Sequence, residues 1–204
     1  MEQRSPEWFA VKAGKFSGSR FAALMAKTRT GPSASRANLI AQLAVERING
    51  TCEQGYQSAA MLRGTDLEPE ALRAYEETRL CVVEPVAWMP HPAHSFVGCS
   101  PDGLVGSEGM VEVKCPEAYA KHLAAIRDGA HAQEYAWQLQ GQLWVADRAW
   151  VDAVSYDPRW PEWLRLVVVR VERDEAAISE LEAACIEAEA EVCAIVDDLL
   201  RMAA

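Results

Sequence analysis

The segment Val111-Glu112-Val113-Lys114-Cys115-Pro116 constrains the fold more than any other stretch of the chain. Val111, Val113 and Cys115 point one way, while Glu112 and Lys114 point the other, which is the two-residue period of a strand. Gly109 to Cys115 therefore reads as a strand. Leu80 to Trp88, Phe96 to Ser100, Ala149 to Ser155 and Leu164 to Glu172 are apolar and β-branched enough to join it in a sheet. A sheet core rarely accepts ionised groups unless they are paired or bind a cation. Asp102, in the turn Pro101-Asp102-Gly103, can approach Glu112 from a neighbouring strand. Converging carboxylates repel, and a hard divalent cation resolves the conflict. Lys114 would then lie beside the cation, able to position or deprotonate a water. The residues alone leave a plainer alternative open, a Glu112–Lys114 surface pair next to a turn.

Helical patterns alternate with these strands. Ser17 to about Lys27 reads as a short helix with Ser17 or Ser19 as its cap. After the loop Thr30-Gly31-Pro32-Ser33, a helix runs to Asn49-Gly50, and a third spans Ser58 to Thr78. Pro116 suits the first turn of a helix ending near Gly129, and another spans Ala132 to Ala146. From Asp174 to Arg201, Ile178, Leu181, Cys185, Ala188, Val192, Ile195 and Leu199 form an alternating three- and four-residue seam. This helix should pack on its own domain, with a subunit contact as the alternative. The class is α/β: a mixed central sheet of about five strands with helices on both sides. One domain over 1–204 is expected, with a basic helical region at 1–79, a sheet core at 80–172 and an acidic helix at 173–204. At 204 residues the chain can bury about 70% of its unfolded surface without staples.

The net charge of −10 argues against a nucleic-acid partner until its distribution is considered. Residues 1–47 hold eight Lys/Arg against three Asp/Glu, whereas residues 172–201 hold ten acidic residues against two Arg. A basic front and an acidic back can steer a polyanion to one face. No apolar run approaches a membrane span, and the N-terminus lacks an apolar signal region, so a cytoplasmic location is expected. The six cysteines have no zinc-site spacing and read as reduced, packed thiols. His91 and His94 read as exposed loop histidines. Trp160 and Trp163 could stack on bases or pack at a strand edge.

Asp102 followed by Glu112-x-Lys114 resembles the PD-(D/E)XK nuclease superfamily, and more specifically the lambda exonuclease and YqaJ-type viral recombinase family. The resemblance covers nearly the whole chain. Trp8 through Ser19 is similar to the family's N-terminal W-x(5)-G-x(2)-[ST]-[AG]-S segment, and Arg63-Gly64 with Glu68 to its helical G-x(3)-E motif. Cys99-Ser100-Pro101-Asp102-Gly103 and Glu112-Val113-Lys114-Cys115-Pro116 resemble its two active-site strands. Gln138 and Gln140 fall in its following helix, and Tyr156-Asp157-Pro158-Arg159 resembles its late turn.

The resemblance implies a Mg²⁺-dependent 5′-to-3′ exonuclease on double-stranded DNA ends, exposing 3′ single strands for phage-type recombination in a bacterial host cell. It implies two Mg²⁺ ions per site, replaceable by Mn²⁺, held by Asp102, Glu112, the Val113 carbonyl and Glu68. Lys114 would activate or orient the water and Gln138 would help hold it. Lys12 and Ser19, within the basic stretch of Lys15 and Arg20, would hold phosphate oxygens, including a terminal 5′-phosphate. The lambda enzyme has Arg where Lys12 falls, and Lys loses the bidentate fork. The family also implies a ring-shaped homotrimer and a single-strand annealing protein as partner. Two other readings share the core: a structure- or site-specific endonuclease, separable on closed circular DNA, and a catalytically silent end-binding subunit. An iron–sulfur nuclease would need clustered cysteines that the chain lacks.

Overall fold

The computed structural model describes residues 1–29, 31–52 and 58–203, so Thr30 of the expected loop lies outside them. The chain runs α1 (Pro6–Lys12), β1 (Phe16–Ser17), α2 (Ser19–Met25), β2 (Lys27–Thr28), β3 (Gly31–Pro32), α3 (Ala34–Asn49) and α4 (Ala59–Arg79). It continues through β4 (Val83–Glu84), β5 (Met89–Pro90), β6 (Val97–Cys99), β7 (Gly103–Val105) and β8 (Gly109–Lys114). Then come α5 (Tyr119–Asp128), α6 (Ala130–Glu134), α7 (Ala136–Ala146), β9 (Trp150–Tyr156), β10 (Leu166–Glu172) and α8 (Glu175–Met202).

The alternating segment lies at the middle of a five-stranded mixed sheet, in the order β10-β9-β8-β7-β4. β8 runs parallel to β9, with Glu112 opposite Ala153, and antiparallel to β7. Val111, Val113 and Cys115 pack with Ala71 and Tyr75 of α4 on one face. Met110 packs with Leu139 and Leu143 of α7 on the other. The charged side chains of β8 thus share the α7 face. A further core joins α2, α3 and α8 to β6 through Phe21, Leu43, Val97, Leu181 and Cys185.

Local chemistry sets the helix starts. The hydroxyl oxygens of Ser33 and Ser58 accept the Arg36 and Met61 amides, and Asp174 accepts those of Ala176 and Ala177. In α8 the seam from Ile178 to Val192 is buried, and the helix packs on its own domain.

Several expectations are corrected. Phe16–Ser17 is extended and pairs in parallel with Val97–Gly98, so the first short helix begins at Ser19. Its N-cap is Gly18, whose φ of 43° suits glycine, rather than either serine. Of Leu80 to Trp88, only Val83–Glu84 pairs in the main sheet, at its edge, because Leu80 and Val82 face solvent. Gly103–Val105 is a strand that the Pro-Asp-Gly turn signal hid. α5 begins at Tyr119, beyond Pro116, and the helix expected from Ala132 breaks at Tyr135. His91 and His94 are half-buried, with His91 against the Trp144 ring at 4.5 Å. All six cysteines are free thiols, with Cys99 and Cys115 buried.

The charge asymmetry also has a structural meaning that the sequence did not predict. Lys27 pairs with Glu180 at 2.8 Å, Arg36 with Glu191 at 2.6 Å and Arg47 with Glu189 at 2.5 Å. The basic front and the acidic back are packed against each other, so these cations are not a free face for a polyanion.

Candidate active site

Glu112 is 4% exposed, yet both of its oxygens are occupied. Oε1 accepts from the Lys114 ammonium and the Gln138 amide, each at 2.5 Å, and Oε2 accepts from Gln142 at 2.7 Å. The two glutamines are one helical turn apart on α7, so one face of that helix meets the carboxylate twice. Gln140 lies between them on another face, bonded to the Glu172 carbonyl and the Asp174 amide. Lys114 is further fixed 4.8 Å from the Tyr135 ring centroid. Although burial opposes its charge, Glu112 and Asp102 hold its ammonium above the ordinary lysine range. In this arrangement Lys114 is a cation and a donor.

Asp102 leaves the turn before β7, and its Oδ2 accepts the Val113 amide at 2.7 Å. Burial, then the Glu112 charge, pushes its carboxyl well above the usual range. Glu68, from α4, is also raised, by burial and Glu112 against the opposing pull of Arg4, whose guanidinium lies 3.6 Å away. Glu68, Asp102 and Glu112 offer carboxylate oxygens on one cleft, and with the Val113 carbonyl they would make an all-oxygen donor set of the kind that suits a hard divalent ion. The raised values of Asp102 and Glu68 come first from burial, with the Glu112 charge adding to it, and a bound cation would relieve that added repulsion. The residues fit Mg²⁺ or Mn²⁺ in chemistry. Among the described residues, no three His, Cys, Asp or Glu groups close on one point in the present arrangement.

One cleft of about 670 Å³ is lined by Glu68, Asp102, Glu112, Val113, Lys114 and Gln138, and also by Lys12 and Ser19. Trp8 explains why residues so distant in sequence meet. Its indole N–H donates to the Ala87 carbonyl and the Ser100 hydroxyl, both at 2.9 Å, docking α1 on the segment leading to Asp102. Lys12 lies 4.3 Å from the Trp8 ring centroid. Burial, then the charge of Arg20, lowers its ammonium to about 8. Ser17, also lining the cleft, has a buried hydroxyl with no hydrogen-bond partner.

Lys15 and Arg20 lie outside that lining. The Arg20 guanidinium turns inward to the Lys15 carbonyl and Glu46. Gln142, Trp8, Ser17 and Arg4 were not singled out from the sequence as site residues. Gln142 carried a readable signal in its four-residue spacing from Gln138, and Trp8 and Ser17 carried one as fixed positions of the N-terminal segment. Arg4 depends on a contact between distant segments.

Residues 7–149 match the model of the YqaJ-like viral recombinase domain. The chain belongs to the YqaJ-like viral recombinase family. The alkaline exonuclease LHK-Exo from Laribacter hongkongensis is similar at 40% identity, over 98% of both chains, with a TM-score of 0.90. The same figures hold for LHK-Exo in complex with dAMP. A phage-related exonuclease from Haemophilus somnus 129PT shares the fold at 14% identity, over 91% of this chain and 96% of that one, with a TM-score of 0.75. No curated protein matches the chain. The fold is that of these exonucleases, and among the described residues no helix is long and apolar enough to cross a membrane.

Proposed function

We propose that this YqaJ-family protein is a Mg²⁺-dependent exonuclease that degrades double-stranded DNA from 5′ ends, exposing 3′ strands for recombination. The observation that carries the reading is the cleft shared by Asp102, Glu112 and Lys114 with Lys12 and Ser19. Chemistry and end recognition would then lie within one substrate's reach. The likeness to LHK-Exo, an alkaline exonuclease also known with dAMP, supports it.

Asp102, Glu112, Glu68 and the Val113 carbonyl would hold the metal. Bound there, Mg²⁺ (or Mn²⁺) supplies charge neutralisation for the scissile phosphate and lowers the pKa of a coordinated water. Lys114, anchored by Glu112 and Tyr135, places a donor toward the attacking water. Gln138 and Gln142 hold the Glu112 carboxylate in one orientation. Lys12 and Ser19 bind the terminal 5′-phosphate, which carries more negative charge than an internal diester. A ring-shaped homotrimer, a single-strand annealing partner and a cytoplasmic location in the bacterial host complete the proposal.

The test is digestion of 5′-phosphorylated linear duplex and covalently closed circles, with and without Mg²⁺, using strands labelled at either end. Linear duplex should be consumed only with Mg²⁺, releasing the 5′ label first. Rapid nicking of closed circles would favour the endonuclease reading. Binding to ends without cleavage would favour the silent subunit.

A further inference from the structure

Beside the cleft, α3 contains a buried carboxylate that the proposed chemistry does not use. Glu46 is 2% exposed. Its Oε2 accepts the Gly14 amide at 2.9 Å and the Cys52 thiol at 3.4 Å. Its Oε1 accepts the Arg20 guanidinium and the Gln42 amide. The next residue, Arg47, donates from Nε to the Gly14 carbonyl at 2.9 Å, and its other nitrogens are held by Glu189 of α8. Both polar groups of one glycine are therefore clamped by consecutive residues of α3. Gly14 has φ +65°, and a Cβ there would come 2.3 Å from the Arg47 Cγ, so only glycine fits the clamp. The clamped point lies between Lys12 and the Ser17–Ser19 turn, all of which line the cleft.

We propose that Glu46 is a positioning residue that fixes the Lys12–Ser19 loop and thereby sets discrimination for a terminal phosphate. The inference rests on the reading of Lys12 and Ser19 as the phosphate-binding groups. All four partners of Glu46 are donors, and they divide between its two oxygens. A glutamine at this position has one oxygen, so its NH₂ group must face either the Gly14 amide with Cys52 or the Arg20 guanidinium with Gln42. Either orientation sets donor against donor. The change also leaves Arg20 without its buried counter-charge near Lys12, which pushes the loop apart.

The test compares digestion of 5′-phosphorylated and 5′-hydroxyl duplex at one ionic strength for wild type, Lys12→Ala, Glu46→Gln and Arg47→Lys. Arg47→Lys keeps the charge facing Glu189 but loses the Nε–H bond to Gly14, so it tests the clamp if Glu46→Gln does not fold. Lys12→Ala should narrow the phosphate preference by roughly tenfold or more, the worth of one charge-assisted contact. Glu46→Gln should raise KM for phosphorylated ends about tenfold while leaving kcat and the rate on hydroxyl ends near wild type, and Arg47→Lys should shift the same ratio less. A preference lost in Lys12→Ala but kept in both Glu46→Gln and Arg47→Lys overturns the positioning role and leaves the Lys12 reading standing. A preference unchanged in Lys12→Ala overturns both. An equal slowing on both ends by the clamp variants makes Glu46 a general stability residue and also overturns the proposal.

Discussion

Replacing Lys114 by methionine isolates the charge proposed to act in catalysis from the structure that carries it. Methionine keeps most of the aliphatic stem beneath Tyr135 but removes the ammonium bonded to Glu112. Glu112 retains the amides of Gln138 and Gln142, so its carboxylate is not stranded in the core. The stability loss should therefore be that of one hydrogen bond with a partly satisfied partner, about 1–2 kcal/mol. For a chain of 204 residues this lowers Tm by about 2–8 °C. Loss of a positioned group acting on the attacking water or the developing charge should slow cleavage by about 10²- to 10⁴-fold. The measurement is single-turnover digestion of phosphorylated duplex with saturating Mg²⁺, alongside end binding in Ca²⁺ and thermal unfolding. Retention of cleavage within tenfold of wild type would refute the assignment. So would a Tm collapse that accounts for the lost rate.

Asp102→Asn should abolish the rise in Tm on adding Mg²⁺ to the DNA-free protein, a shift expected in wild type because a ligand bound only to the native state stabilises it; an unchanged Mg²⁺ shift would place the ion elsewhere. Duplex binding should show a log–log salt slope of only about −4, because four cations (Arg4, Lys12, Lys114 and Lys121) line the cleft, whereas engagement of the whole basic front would give about −7. Lys12 is held at about 8 in the folded chain, below the 10.5 of the exposed side chain. Below pH 8 it is charged in both states and its burial opposes folding. As pH rises from 8 to 10.5 the folded state releases its proton first, so that opposition disappears. Lys12→Met should accordingly unfold at a higher temperature than wild type at pH 7, with the gap closing toward pH 10.5; a constant gap would exclude the titration.

The period of Val111 to Cys115 determined a strand with one apolar and one ionised face, the first packed on α4 and the second turned toward α7. Local capping residues likewise determined where α3, α4 and α8 begin. These features were legible because they depend on residues within a few positions of one another. Short elements were not. β7 and β4 are held by pairing rather than by their own pattern, and the Phe16–Ser17 strand exists only because Val97–Gly98 lies beside it. The same limit applied to charge. Composition showed a basic front and an acidic back, but only packing decided that Lys27, Arg36 and Arg47 would neutralise α8. Arg20, read from its neighbours as a phosphate contact, turns inward because a carboxylate 26 positions later is buried beneath it. A sequence specifies which charges exist; their partners are set by distance in space, which long-range contacts alone determine.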